Sequence, residues 1–145
     1  MYFIDREKIE EILVFLEQQI ALFEELKDVM SSIEKAALER TTHTMIEAIL
    51  DVGNAMIDGF IMRDPGSYED IVDILDDEKV IDDELSKSCK QIIQYRKMLV
   101  QTYTEINHAE IKAVFSDHLP VIKQFPAKVR EYLLNELGPV TAFRN

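Results

Sequence analysis

Residues 5–30, DREKIEEILVFLEQQIALFEELKDVM, decide the fold class. Ile9, Leu13, Leu16, Ile20, Phe23 and Leu26 recur at steps of three and four, the spacing that lines one face of an α-helix. Glu10, Glu11, Glu17, Glu24 and Glu25 fall mostly off that face, so the stretch reads as one long amphipathic helix. Working outward, Ser31-Ser32-Ile33-Glu34 has the pattern of a capping box, in which a Ser oxygen accepts from a free backbone N–H and Glu34 reaches back to the cap. A second helix follows to about residue 61. It carries Met45, Ala48, Ile49, Val52, Ala55, Met56 and Phe60 on its apolar side, and Gly53 inside it suggests close packing of another helix.

Asp64-Pro65-Gly66-Ser67 is a turn, and Ser67 is placed to cap a short third helix over 68–77 with Ile71, Ile74 and Leu75 inward. The acidic run 76–84 reads as a linker whose last carboxylates cap the next helix. A calcium loop would need alternating ligands around a central glycine. A fourth helix is expected over 83–103, and Asn107 caps a fifth, broken or kinked by Pro120 and stopped before Gly138-Pro139. The expectation is an all-α, antiparallel bundle of about five helices in a single domain spanning 1–145.

The chain has 28 acidic residues against 16 Lys and Arg, a net charge of −12. Such a charge repels polyanions and argues against a free-standing, sequence-blind nucleic-acid binder; DNA is not an expected partner. Cys89 is the only cysteine, which rules out an internal disulfide or a multi-cysteine metal site and fits a reducing compartment. Charged residues arrive by Asp5 and Arg6, without the apolar core of a secretory signal, and runs such as 12–16 are too short to span a bilayer. A cytoplasmic location with no membrane association is expected.

Three features could carry chemistry. From Leu85 to Thr104 there is no acid, while Lys87, Lys90, Arg96 and Lys97 are present; this is either a phosphate-binding island or favourable cations near a helix C-terminus. Within it, Arg96 and Tyr103 are seven apart and share a face if the helix persists. Arg would contact phosphate in bidentate fashion. Beside them, Met98, Leu99 and Val100 read as an apolar patch suited to a partner. In the second helix, His43, Glu47, Asp51, Asn54 and Asp58 form one polar stripe. It is either the solvated side of that helix or the wall of a groove in which Asp51 or Asn54 orients Arg96. His-Glu-x-x-His spacing is absent and no metal is expected. His108 and His118 read as surface or capping residues, and Cys89 as a small buried apolar one.

The segment Arg96, four residues, Gln101, Thr102, Tyr103 resembles the motif of HepT-like HEPN proteins: an Arg, four to six residues, then His, any residue and Tyr. Residues 4–9, 49–54 and 65–68, followed by Leu75 and Val80-Ile81, resemble the same branch in order and spacing, through about residue 132. The resemblance implies a HEPN helical bundle and a homodimer with two motifs lining a shared cleft. It also implies metal-independent RNA cleavage without a cofactor, as the toxin of a toxin–antitoxin pair. The implied partner is a small nucleotidyltransferase antitoxin able to modify the motif tyrosine, here Tyr103, with AMP.

The departure is Gln101. On the family mechanism the histidine moves the proton as the ribose 2′-hydroxyl attacks phosphorus, and Arg96 stabilises the developing charge. A glutamine amide hydrogen-bonds but does not shuttle a proton near neutral pH. The resulting reading is a HepT-like protein with an RNA- or nucleotide-facing cleft and weakened or lost ribonuclease activity. In it Arg96 serves phosphate, Gln101 sits at the acid–base position, and Tyr103 serves orientation or modification. The alternative is a non-catalytic dimeric scaffold that holds a nucleotide or partner in the same cleft.

Overall fold

The computed structural model describes residues 4–139. Seven helical segments follow one another: α1 (Arg6–Glu25), α2 (Ser32–Gly59), α3 (Tyr68–Asp77), α4 (Asp83–Ile93), α5 (Arg96–Val100), α6 (His108–Ile122) and α7 (Phe125–Leu137). They correspond to the five expected helices, two of them interrupted, and no strand occurs among the described residues.

The 28-residue α2 is the centre of the bundle, packing against α1, α3, α6, α5 and α4. Its start is the expected capping box: Glu34 N–H donates to Ser31 Oγ at 3.1 Å, and Ser31 N–H donates to Glu34 Oε1 at 2.9 Å. Leu38, Met45, Ile46, Ile49, Val52 and Met56 are buried against α1's Ile9, Leu13, Leu16, Ile20 and Phe23 and the rest of the core. Gly53 is where α3 crosses; a methyl there would overlap the Ile71 side chain. Thr41, Thr42 and Thr44 are buried but satisfy their hydroxyls on carbonyls of the preceding turn, and Thr44 also donates to Gln19 Oε1 on α1 at 2.9 Å.

Three boundaries differ from the sequence expectation. α1 ends at Glu25 rather than near Met30. The next residues leave the helix, with Leu26 and Val29 still packed on the core, and this gives Ser31 the extended backbone that an N-cap needs. The expected helix over 83–103 is broken at Gln94–Tyr95 and ends at Val100. No proline or glycine causes the break. After Ile92 and Ile93, the face that buries Leu85 and Cys89 would next bury Arg96 or Lys97, and a tighter turn, Tyr95 N–H to Ile92 O, rotates both off the core so that Leu99 is buried instead. Lastly, Pro120 sits within the last turn of α6 without breaking it, and the interruption falls at Lys123–Gln124. It is imposed by Pro126, whose ring would clash with the Ile122 carbonyl in a continuous helix but is tolerated in the first turn of α7.

The remaining caps follow the sequence. Ser67, Asp82 and Asn107 accept from Asp70, Leu85 and Glu110 N–H respectively. Of the acidic run 76–84, residues 76–77 end α3, 78–82 form the connection and Asp82 caps α4; no His, Cys, Asp or Glu cluster able to hold a metal occurs among the described residues. At the end of α7, Gly138 takes φ 78° and its carbonyl accepts from Arg6 at 2.9 Å. Arg130 forks onto both Glu10 and Glu17, tying α7 to α1. No helix among the described residues is long and apolar enough to cross a membrane.

Candidate functional site

The break between α4 and α5 places Arg96 as the first residue of α5, turned toward α2. Its Nε donates to Glu47 Oε1 at 2.5 Å, and its guanidinium lies 4.5 Å from the centre of the Tyr68 ring, at the start of α3. Carboxylate and aromatic face thus hold the guanidinium from two sides, a geometry that an ammonium could not reproduce. Glu47's hydrogen bond and charge raise the Arg96 pKa further, so it is a permanent cation. Its two terminal amino groups make no hydrogen bond among the described residues, which leaves a fork open for an anion. One turn before Glu47, His43 Nε2 approaches the same Oε1 at 3.4 Å.

Glu47, not Asp51 or Asn54, is Arg96's partner. Asp51, one turn further along α2, acts on Arg96 only through its charge. Asp51 is exposed, but partial desolvation of its carboxyl against the helix surface raises its pKa, the Glu47 charge adds to that, and Lys8 and Arg96 oppose it. Asn54 is exposed and its side chain makes no hydrogen bond among the described residues. All of 43, 47, 51, 54 and 58 lie on one stripe, so selecting Glu47 required the axial level of Arg96, which the helix break sets. Tyr68 was legible only as the first residue of a helix; no sequence signal tied it to Arg96.

A groove beside the clamp is lined by Tyr68, Glu69, Arg96, Lys97 and Gln101, among others. Gln101 is exposed at the C-cap of α5, where its backbone N–H donates to Lys97 O at 2.8 Å. Tyr103 lies beyond the helix end, so the helical-face argument pairing it with Arg96 does not hold. It is 65% exposed, does not line this groove, and makes no hydrogen bond among the described residues.

One open alternative is narrowed and one expectation is corrected. The positive island is largely neutralised through the fold: Lys87 pairs with Asp83, Lys90 with Asp73 and Arg96 with Glu47, leaving Lys97 without an ion pair among the described residues. The apolar patch is mostly core: Leu99 is buried, Met98 packs against the core, and Val100 alone is exposed. The other histidines bind structure, His108 Nε2 to Glu39 Oε2 at 2.7 Å and His118 Nδ1 to Ser88 Oγ at 2.9 Å. Cys89 is buried, and burial alone pushes its thiol up to about 12, which makes it a poor nucleophile.

The family described as "Ribonuclease HepT-like" matches residues 6–129. A Bacillus subtilis (strain 168) protein named "Putative RNase YutE" is 51% identical over 144 residues, covering 99% of this chain and 100% of the relative. A solved structure described as the cytosolic protein of unknown function YutE from Bacillus subtilis superposes with a TM-score of 0.94 at 52% identity, covering 99% and 100% of the two chains. More distantly, a toxin–antitoxin structure with AMP-PNP matches at 18% identity and a TM-score of 0.76, over 85% of this chain and 97% of that one. A tri-AMPylated Shewanella oneidensis HEPN toxin in complex with an MNT antitoxin matches at 20% identity and the same TM-score, over 85% and 96%. At those identities the likeness is one of fold, and it makes this bundle HEPN-like.

Proposed function

The chain belongs to the HepT-like ribonuclease family, and from that membership we propose that it is a cytoplasmic, single-domain, RNA-facing member whose ribonuclease activity is weakened or lost. The observation that carries the reading is the groove itself. It presents an oriented, permanently charged Arg96 with its amino groups open, beside an exposed Gln101 that cannot carry a proton. Phosphate binding and charge stabilisation are provided for; proton transfer at the motif position is not. The family's toxin–antitoxin arrangement supplies the partners proposed here, a second copy of the chain and a nucleotidyltransferase antitoxin. The exposure of Tyr103 leaves its hydroxyl accessible to a modifying partner.

The homodimer rests on family membership, because Leu99 is committed to the core rather than to a partner. Sedimentation that finds only monomer at micromolar concentration would remove it. The functional test is binding and cleavage of single-stranded RNA by purified protein, with Arg96→Ala as control. Loss of RNA binding in that variant is expected, and binding unaffected by it would overturn the assignment of the groove. The second reading, a non-catalytic scaffold, has one observation on its side: Arg96 is paired with Glu47, which offsets part of the charge a transition state would draw on.

A further inference from the structure

Lys27, Lys35 and Lys112 make no ion pair among the described residues, as is also true of Arg40, Lys79 and Lys97. The first three line one groove, between the turn that joins α1 to α2 and the beginning of α6, together with Asn107 and His108. Lys112 is held in place there, its ammonium 4.3 Å from the centre of the Phe23 ring. Two acids face the same region. Asp28 lines the groove and partly offsets Lys112, and Glu39 is engaged by His108. Burial and the charge of Lys27 push the Lys112 pKa down and Asp28 only partly opposes them, so like charges are brought together in this groove. The groove therefore presents three lysines against one lining acid, a locally positive surface on a chain of net charge −12.

The location relates this groove to Arg96. Glu39, which holds His108, and Glu47, which holds Arg96, lie on the same stripe of α2, a separation of about 12 Å along the helix axis at 1.5 Å per residue. Exposed Tyr103 lies in the segment between α5 and α6 that links the two places. We infer that the groove walled by Lys27, Lys35 and Lys112 is a second phosphate-contacting site, which holds the backbone of the same single-stranded RNA that reaches Arg96. A flexible single strand can follow such a path. The inference rests on the RNA-facing reading above and extends it from one phosphate to a track.

The test is anisotropy with a labelled 2′-O-methyl single strand, which binds without being cleaved, as a function of salt. Proteins are the full-length chain, the triple variant Lys27→Gln, Lys35→Gln, Lys112→Gln, and Arg96→Ala. Glutamine keeps the aliphatic stems, including the one over Phe23, and a thermal melt verifies the fold. The expected result is about tenfold weaker binding by the triple variant, with a salt slope reduced by about 2, since each single-strand phosphate contact contributes about 0.7. A triple variant that binds as well as the parent, while Arg96→Ala does not, overturns this inference and leaves the Arg96 groove standing. A parent chain with no RNA affinity overturns both. Equal or tighter binding of poly-glutamate than of RNA overturns the inference by identifying the groove as a site for an acidic protein.

Discussion

Glu47→Gln is the substitution that separates the two duties of Glu47. The amide oxygen can still accept from Arg96 Nε, so the guanidinium keeps its position over Tyr68 while the opposing charge disappears. A phosphate on the open side of Arg96 would lie about 7 Å from the Glu47 carboxylate, where two like charges repel by about 2.4 kcal/mol at an effective dielectric of about 20 and about 0.6 kcal/mol in bulk water. The side chains of Arg96 and Glu47 are 24% and 31% exposed, so the site lies between those limits. Relief of about 1–2 kcal/mol corresponds to binding roughly five- to thirtyfold tighter. The stability loss is about 1 kcal/mol or less, because the pair is partly solvated. The assay is RNA anisotropy at low salt alongside thermal melting. Asp51 offers an internal check: Glu47's charge is one of the causes that raise its carboxyl pKa, so the substitution should shift its titration downward by NMR. Unchanged RNA affinity in a folded variant would refute the assignment of Arg96 as the phosphate contact.

Two further predictions concern stability. The Asp51 carboxyl pKa is raised in the folded state by partial desolvation and then by the Glu47 charge, so the folded chain disfavours its ionised form. Asp51→Asn should therefore raise Tm at neutral pH, and the gain should vanish as pH falls below the ordinary carboxylate range; a gain that persists in acid would contradict the assigned cause. Ile61 follows the end of α2 with φ 56°, a left-handed backbone that suits glycine and penalises a β-branched residue, and it is 71% exposed, so little packing is at stake. Ile61→Gly should stabilise the fold by about 1 kcal/mol after the glycine's own unfolded-state entropy is counted, an increase of about 3 °C in Tm. A drop in the melt would show that Ile61 packs on something.

The helices and their caps were legible because they are local. Periodicity identified α1's buried face, and Ser31, Ser67 and Asn107 announced starts that the fold uses. What escaped were the interruptions and the contacts that depend on them. The phase slip after Ile93 was present in the sequence as Arg96 and Lys97 standing where a continuous helix required apolar residues, but continuity was the simpler reading. Missing it carried Tyr103 onto the wrong face and left Arg96 without an axial level, so Asp51 and Asn54 stood in for Glu47. Tyr68 is set against Arg96 by a tertiary approach between α3 and α5 that no spacing encodes. The neutralisation of Lys90 by Asp73 is likewise a contact between helices, invisible to a count of charges along one segment.

The central claim is that this groove binds RNA but lacks a proton carrier at position 101. Gln101→His supplies an imidazole, with an unperturbed pKa of about 6.5, at the exposed end of α5. The direct measurement compares RNA cleavage by the parent chain, Gln101→His, and Gln101→His combined with Arg96→Ala across that pH range. The account predicts a gain on the order of 10²-fold in the single variant, titrating near neutral pH and lost in the double variant. Parent activity already equal to that of Gln101→His would contradict it, as would no gain from a variant whose fold and RNA affinity are unchanged.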